Sequence, residues 1–429
     1  MKHFLIFAIL LTSFSGTINA QTLSYSGTIN YGKSTINYQI KLIEIKNQTK
    51  VSFSSIEMNA YEIPCQNVII QTDTLKFYVV SDYFTYEYIF HKQNNNYMGK
   101  LKIYSNETEQ VLNTFVTNLI LEKSIGLNAV NKKEVTFISN GLTLCGTLWE
   151  PIKSNNIGLV FVTSSQGSDR SGTNAEAYYF TNLGYTVLNY DKRGTGKSEG
   201  NWQTATIEEL CSDDINALYF FSKIAKIPLS ETGIIGSSQG GIKIPYILTK
   251  LSELNFGISI SCPSGTLLES DLNNWENINK SKIGKENIGI AIKIQKAAYD
   301  YLAGNITYEK MNLLIGDYTN QDWFKNIWIP KKNIKKDYKL NFSGLPYFRK
   351  ITQPLLLIQG LSDDVIPSNS FKIIRSAIQE SKSSKYKILT LKNTTHSMTY
   401  LNKEFPYFEI LSPGYLDAIT NWLNSIESK

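Results

Sequence analysis

Gly236-Ser237-Ser238-Gln239-Gly240 is the stretch on which the reading of this chain turns. It follows the short apolar run Ile234-Ile235 and precedes a helix expected from Gly241 to Thr249, so the local order is strand, tight turn, helix. A serine at the tip of such a turn is held in strained backbone with its hydroxyl exposed, and glycines two residues to either side let strand and helix cross closely. The G-x-S-x-G spacing selects Ser238, not Ser237, as the candidate nucleophile. The same five residues also suit an ordinary Gly-Ser turn, so a base and an acid elsewhere must separate the two readings.

Outward from this turn, apolar strands alternate with helix-length segments. Val135 to Ile138 and Leu142 to Trp149 form a first hairpin, and Leu159 to Val162 is a nearly continuous apolar run, as expected of a strand covered on both faces. Glu176 to Leu183 reads as a helix before the strand Thr186 to Tyr190. Glu208 to Ala225 is helical, with Ile215, Leu218 and Phe221 on one side and Asp213 and Asp214 on another. Further strands follow at Phe256 to Ile260, Leu355 to Ile358 and Lys387 to Leu391, and a last helix runs from Tyr415 to about Ile426. Repeated units of this kind predict an α/β fold with a doubly wound, mostly parallel sheet. The alternation stops over residues 263–348, which carry Trp275, Trp323, Phe324 and Trp328 and an amphipathic helix expected from Ile288 to Ala303. An insertion there emerges at the strand edge that also bears the Ser238 turn, so it is expected to be a lid with the aromatic residues packing it.

Toward the amino end the pattern changes to a period of two. Ile36, Tyr38, Ile40 and Leu42 interleave with Asn37, Gln39 and Lys41, and Phe84, Tyr86, Tyr88 and Phe90 interleave with Thr85, Glu87 and Ile89. Such runs predict a small antiparallel β domain, a barrel or sandwich with one wet face, over residues 21–125, ahead of a catalytic domain at 126–429. His91 continues the wet side of its strand and is expected at the surface. Residues 1–20 have the layout of a secretory signal peptide: Lys2, the apolar run Phe4 to Leu11, then Ile18-Asn19-Ala20. Cleavage is expected after Ala20, giving a secreted or periplasmic protein. No later apolar stretch reaches the roughly 20 residues of a membrane-spanning helix.

The charge balance, 43 Lys and Arg against 37 Asp and Glu, gives a mild net +6, and with no basic stripe it argues against a nucleic-acid groove. Cys65, Cys145, Cys211 and Cys262 lie far apart with no C-x-x-C pair, which is neither a disulfide scaffold nor a zinc site, and they read as buried thiols. A serine nucleophile needs a base, and the base an orienting acid. His396 is the only histidine after His91 and falls in the loop Asn393-Thr394-Thr395-His396, between the last strand and the last helix. The acid follows another strand end, in Gly360-Leu361-Ser362-Asp363-Asp364-Val365-Ile366-Pro367. Asp363 is the choice and Asp364 the alternative, because one of two adjacent carboxylates is spare for capping the turn.

The order Ser238, Asp363, His396 resembles that of the α/β-hydrolase superfamily. Asp191-Lys192-Arg193-Gly194-Thr195-Gly196-Lys197-Ser198 looks like its D-x-R-G-x-G-x-S loop, and Gly360 to Pro367 like its G-x-x-D-x-x-V-P acid loop. The resemblance covers residues 130 to 429 and is closest to exported bacterial esterase-like hydrolases of the serine aminopeptidase and dienelactone-hydrolase-like group, where a β-rich domain also precedes the catalytic one. It implies a serine hydrolase of small-molecule or glycan-linked esters, with no metal or organic cofactor. It makes Asp191 and Arg193 structural. A phosphate-binding reading of Gly196-Lys197-Ser198 fails because Asp191 stands where the P-loop needs glycine. One departure stands out: the family's His-Gly after the third strand is Thr163-Ser164 here, followed by Ser165-Gln166-Gly167. The oxyanion donors implied are the N–H of Gln239 and that of Ser165, with Ser164 as the alternative. Two rival readings keep the fold: a peptidase or amidase with the same triad, and a binding protein without activity.

Overall fold

The structure is a computed structural model that describes residues 21–45, 48–122, 130–165, 167–381, 383, 385–401 and 403–427. The expected signal peptide and the boundary between residues 125 and 126 lie outside the described residues. The chain forms two compact units: the described residues up to Ser54 together with those from Glu62 to 122, and Ser55–Tyr61 together with those from 130 onward.

The first unit is antiparallel sheet. Its strands are β1 (Gln21–Tyr31), β2 (Ser34–Ile45), β3 (Gln48–Ser55), β4 (Ala60–Pro64), β5 (Gln66–Ile70), β6 (Thr74–Val80), β7 (Phe84–Gln93), β8 (Asn96–Ser105) and β9 (Val111–Leu121). They lie in the order β4-β3-β2-β1-β9-β8-β7-β6-β5. The period of two buries Ile36, Tyr38 and Ile40 of β2 and Tyr86, Tyr88 and Phe90 of β7 on one face. Tyr38 and Tyr88 sit four strand steps apart in this order, about 19 Å at ~4.8 Å per step in a flat sheet. Their ring centroids are 5.5 Å apart, so the sheet is rolled around its aromatic face into a barrel-like curl. His91 is exposed on the outer face, as expected. Glu87, expected on the same wet side, is buried instead, because Lys76 reaches its carboxylate at 2.7 Å and Tyr78 and Tyr104 donate to it at 2.7 and 2.8 Å.

The second unit holds an eight-stranded sheet: β10 (Asn131–Ser139), β11 (Leu142–Glu150), β12 (Gly158–Phe161), β13 (Thr186–Tyr190), β14 (Thr232–Ser237), β15 (Phe256–Ile260), β16 (Leu355–Gly360) and β17 (Tyr386–Leu391). The order is β10-β11-β13-β12-β14-β15-β16-β17, with β10, β11 and β13 antiparallel neighbours and every later pair parallel. This is the strand order of the α/β-hydrolase fold, as the motifs imply. The helices are α1 (Asn174–Asn182), α2 (Ile207–Ala225), α3 (Gln239–Lys250), α4 (Leu267–Ile283), α5 (Ile288–Leu302), α6 (Tyr308–Ile315), α7 (Leu345–Phe348), α8 (Ser370–Gln379) and α9 (Tyr415–Glu427). α1 and α9 cover one face, packing Phe180 and Trp422 with Phe161 and Ile258, while α2, α3 and α8 cover the other.

Helices α4 to α7 come from the expected insertion. Trp275, Ala298, Tyr301, Met311 and Trp323 form a core of its own, whereas Trp328 is 43% exposed. Asn273 of α4 donates from Nδ2 to the Val365 carbonyl at 3.0 Å, so the insertion rests on the acid loop. Asp213 and Asp214 depart from expectation. Helical periodicity places them off the apolar stripe, yet both are 1% exposed, because the face they share meets Arg193 and Lys243 rather than water. All four cysteines are free; Cys145, Cys211 and Cys262 are buried and Cys65 half-buried.

Candidate active site

Ser238 joins β14 to α3 with φ 55° and ψ −118°, a backbone region that costs a non-glycine residue about 1–3 kcal/mol. The surroundings impose it. The Ser238 N–H donates to the Ile260 carbonyl at 2.9 Å. A Cβ on Gly236 would come within 2.8 Å of the Gly240 carbonyl carbon, and one on Gly240 within 3.0 Å of the Val162 carbonyl oxygen. Both glycines of the pentapeptide are therefore required by backbone contact, and the serine is presented at the carboxyl edge of the sheet.

The same edge carries the candidate base and acid, His396 and Asp363. His396 Nδ1 lies 2.9 Å from Asp363 Oδ2, and the Asp363 side chain is fully buried. The other carboxylate oxygen accepts the Val365 and Ile366 N–H groups at 3.0 and 3.2 Å, which fixes the carboxylate before any imidazole arrives. Asp363 thus also does the capping expected of the spare carboxylate, while Asp364 contributes only its backbone carbonyl, which accepts Asn277 Nδ2 at 2.7 Å. Between elbow and base stands the end of β15, where Ile260 accepts from Ser238 and the Ser261 hydroxyl donates to the His396 carbonyl at 2.7 Å. The structure thus joins His396 to Asp363 and seats Ser238 beside the same strand end. The Ser238 hydroxyl makes no hydrogen bond among the described residues, so the serine–imidazole contact is not formed here; such contacts are often long before substrate binds.

Across from the elbow runs the turn Thr163-Ser164-Ser165; Gln166 lies outside the described residues. Gln239 is buried at the first position of α3, where a helix leaves its N–H unpaired. The Thr163 N–H is committed to Asp214 Oδ1 at 3.1 Å, which removes it as an oxyanion donor. Those of Ser164 and Ser165 have no partner among the described residues. The Ser164 hydroxyl donates to the Ser237 carbonyl at 2.9 Å, a tether that the family's glycine lacks. Lys192 Nζ donates to the Ser164 carbonyl at 2.8 Å.

Beneath the turn lies a buried polar hub that the sequence reading missed. Lys243 of α3 and Asp214 of α2 pair at 2.7 Å with side chains 0% and 1% exposed. Lys243 Nζ also donates to Thr163 Oγ1 at 2.9 Å, and the Tyr190 hydroxyl donates to Asp214 Oδ1 at 2.5 Å. Burial pushes the Asp214 carboxyl above the usual carboxylate range, against the pull of the Lys243 ammonium and the hydroxyl and N–H donors. A signal was present: Lys243 interrupts the apolar run Ile242-Lys243-Ile244 in a helix that must be covered by the sheet. Asp191 and Arg193 are structural, as the resemblance implies. Asp191 accepts the Arg170 and Lys197 N–H groups, both at 2.9 Å, and Arg193 Nε meets Asp213 Oδ2 at 2.6 Å.

A cavity of about 300 Å³ opens behind the turn, bounded by Ser164, Ser165, Ser237 and Met398 and floored by Glu176 and Tyr415. Burial raises the Glu176 carboxyl, which accepts the Tyr415 hydroxyl at 2.7 Å.

No protein-family model and no curated protein matches the chain. Solved structures similar to it include an esterase from Pyrococcus furiosus, 16% identical over 69% of this chain and 91% of that one, with a TM-score of 0.44. The alpha/beta hydrolase GrgF from Penicillium sp. sh18 is 17% identical over 69% and 97%, at 0.43. A proline iminopeptidase from Mycobacterium smegmatis is 13% identical over 69% and 99%, at 0.45. The fold assignment rests on the strand order of this chain rather than on these distant likenesses.

Proposed function

We propose that this chain is an exported serine hydrolase acting on carboxylic esters. Ser238 Oγ attacks the carbonyl carbon as His396 takes its proton, and Asp363 orients the imidazole through Nδ1 and stabilises its charged form. The tetrahedral oxyanion is held by the N–H groups of Gln239 and Ser165. Its collapse expels the alcohol with the proton from His396 and leaves an acyl-Ser238 ester. Water, activated by the same imidazole, then releases the acid. The observation that carries this reading is the 2.9 Å His396–Asp363 hydrogen bond on the strand edge that also presents the elbow. The contact of α4 with the acid loop supports a lid role for the insertion, and the layout of residues 1–20 supports export.

The test is a fluorophosphonate probe with an aryl ester assay. Native protein should label, Ser238→Ala should not, and kcat should fall on the order of 10⁶-fold. A native protein that neither labels nor turns over ester is a binding protein on this fold. One observation favours a second substrate class: Glu176 places a carboxylate in the cavity beside the elbow, where an ammonium group of an aminoacyl substrate would ionise it. Amide turnover exceeding ester turnover on matched acyl groups selects that reading.

A further inference from the structure

The departure at Thr163-Ser164 raises the question of what holds this turn in place of the family's His-Gly. Lys192, directly after β13 and its Asp191, is 3% exposed, and its ammonium donates to the Ser164 carbonyl at 2.8 Å while lying 4.3 Å from the Trp202 ring centroid. The described residues contain no cis peptide, so the carbonyl of Ser164 and the N–H of Ser165 point in opposite directions across one rigid plane. Whatever fixes that carbonyl therefore fixes the direction of that N–H. A cation at the carbonyl also polarises the peptide and makes its N–H a stronger donor. From the other side, the Ser164 hydroxyl ties the turn to Ser237, one residue before the nucleophile.

We propose that Lys192 is the positioning residue of the oxyanion hole: by gripping the Ser164 carbonyl, its ammonium aims and polarises the Ser165 N–H toward the oxygen that becomes negative. This rests on the serine-hydrolase reading and adds to it a second lysine, distinct from Lys243, which supports Thr163 from below. The grip is charge-assisted and therefore titratable. Burial, then the charge of Lys243 on α3 and that of Lys339 in the insertion, push the Lys192 ammonium down to about 7, against the attraction of Asp214 on α2. The donor weakens as pH rises through that value, so turnover should fall on the alkaline side.

The experiment measures kcat and KM of native, Lys192→Met and Lys192→Gln proteins on an aryl acetate from pH 5.5 to 9.5, with fluorophosphonate labelling to count reactive Ser238. The native kcat should decline above about pH 7. Lys192→Met should lose roughly 10–100-fold in kcat with KM changed less than about threefold, label fully but slowly, and show no alkaline decline. Lys192→Gln, which keeps a donor without charge, should fall between the two and also lack the decline. A Lys192→Met enzyme within twofold of native, with the decline intact, overturns the role of Lys192 and leaves the hydrolase reading standing. So does a native kcat that stays level from pH 7 to 9, which decides the matter even if a variant fails to fold. Absence of native labelling and turnover overturns both.

Discussion

Lys243 and Asp214 are an ion pair with almost no access to water, and both hold Thr163 of the turn proposed to face Ser238. Removing one charge from such a pair leaves the other buried and uncompensated, which costs about 3–5 kcal/mol. Lys243→Met should therefore lower the unfolding free energy read from urea titration by that amount, and should slow turnover as well, because Thr163 loses its hydroxyl partner. Glu176 makes a different case. Its folded pKa is raised by burial, so the folded state holds a proton that the unfolded state has released, and stability falls as pH rises from the ordinary glutamate range through the raised value. Glu176→Gln removes that dependence: thermal melts should show the variant gaining on the native protein as pH rises above the ordinary glutamate range, and the difference shrinking toward acid. A difference that does not change with pH would mean that Glu176 takes up no extra proton on folding.

The elements were legible to the extent that their apolar runs were continuous. β12, β13, β14, β15 and β16 read directly because strands covered on both faces admit almost nothing polar. The candidate site residues could be named because they follow strand ends in a fixed order, and the structure brings two of them, His396 and Asp363, into contact. The hub did not, since periodicity separates apolar from polar positions and cannot tell a solvated carboxylate from a partnered one; Asp213 and Asp214 stand on α2 as charges would on a wet face. The roll of β1–β9 was also hidden, because alternation fixes faces and not curvature. α2 begins with a capping box, in which Thr206 Oγ1 accepts the Glu209 N–H and Glu209 accepts the Thr206 N–H. Thr206→Ala should cost about 1 kcal/mol in denaturant unfolding with little effect on KM. Gly240→Ala tests the crossing of α3 with β12. Its methyl would lie 3.0 Å from the Val162 oxygen and 3.3 Å from that of Thr163, so the oxyanion turn must move. Turnover should drop by roughly 10²-fold, as for loss of one oxyanion donor, and the unfolding free energy should fall by about 1–3 kcal/mol because both contacts are with backbone.

At the scale of the whole molecule, two units with separate cores share one discontinuous boundary, since Ser55–Tyr61 belongs with the second. Within that unit the Tyr61 ring lies 5.2 Å from Trp149 and 4.7 Å from Tyr178. Tyr61→Ala should cost about 1–3 kcal/mol in unfolding of the second unit, and a fragment starting at residue 130 should lose more, because it also lacks the Glu57 carbonyl that accepts the Leu411 N–H. Neither unit draws on a cross-link. Cys65 and Cys262 are pushed up by burial to about 12, so almost no thiolate forms at neutral pH, and Cys211 is raised further in the same direction. None of the four cysteines is paired, so the fold is reached without a disulfide. Overexpression in a reducing cytosol, with residues 1–20 removed, should yield folded protein, and thiol-directed reagents should leave the rate of fluorophosphonate labelling proposed for Ser238 unchanged.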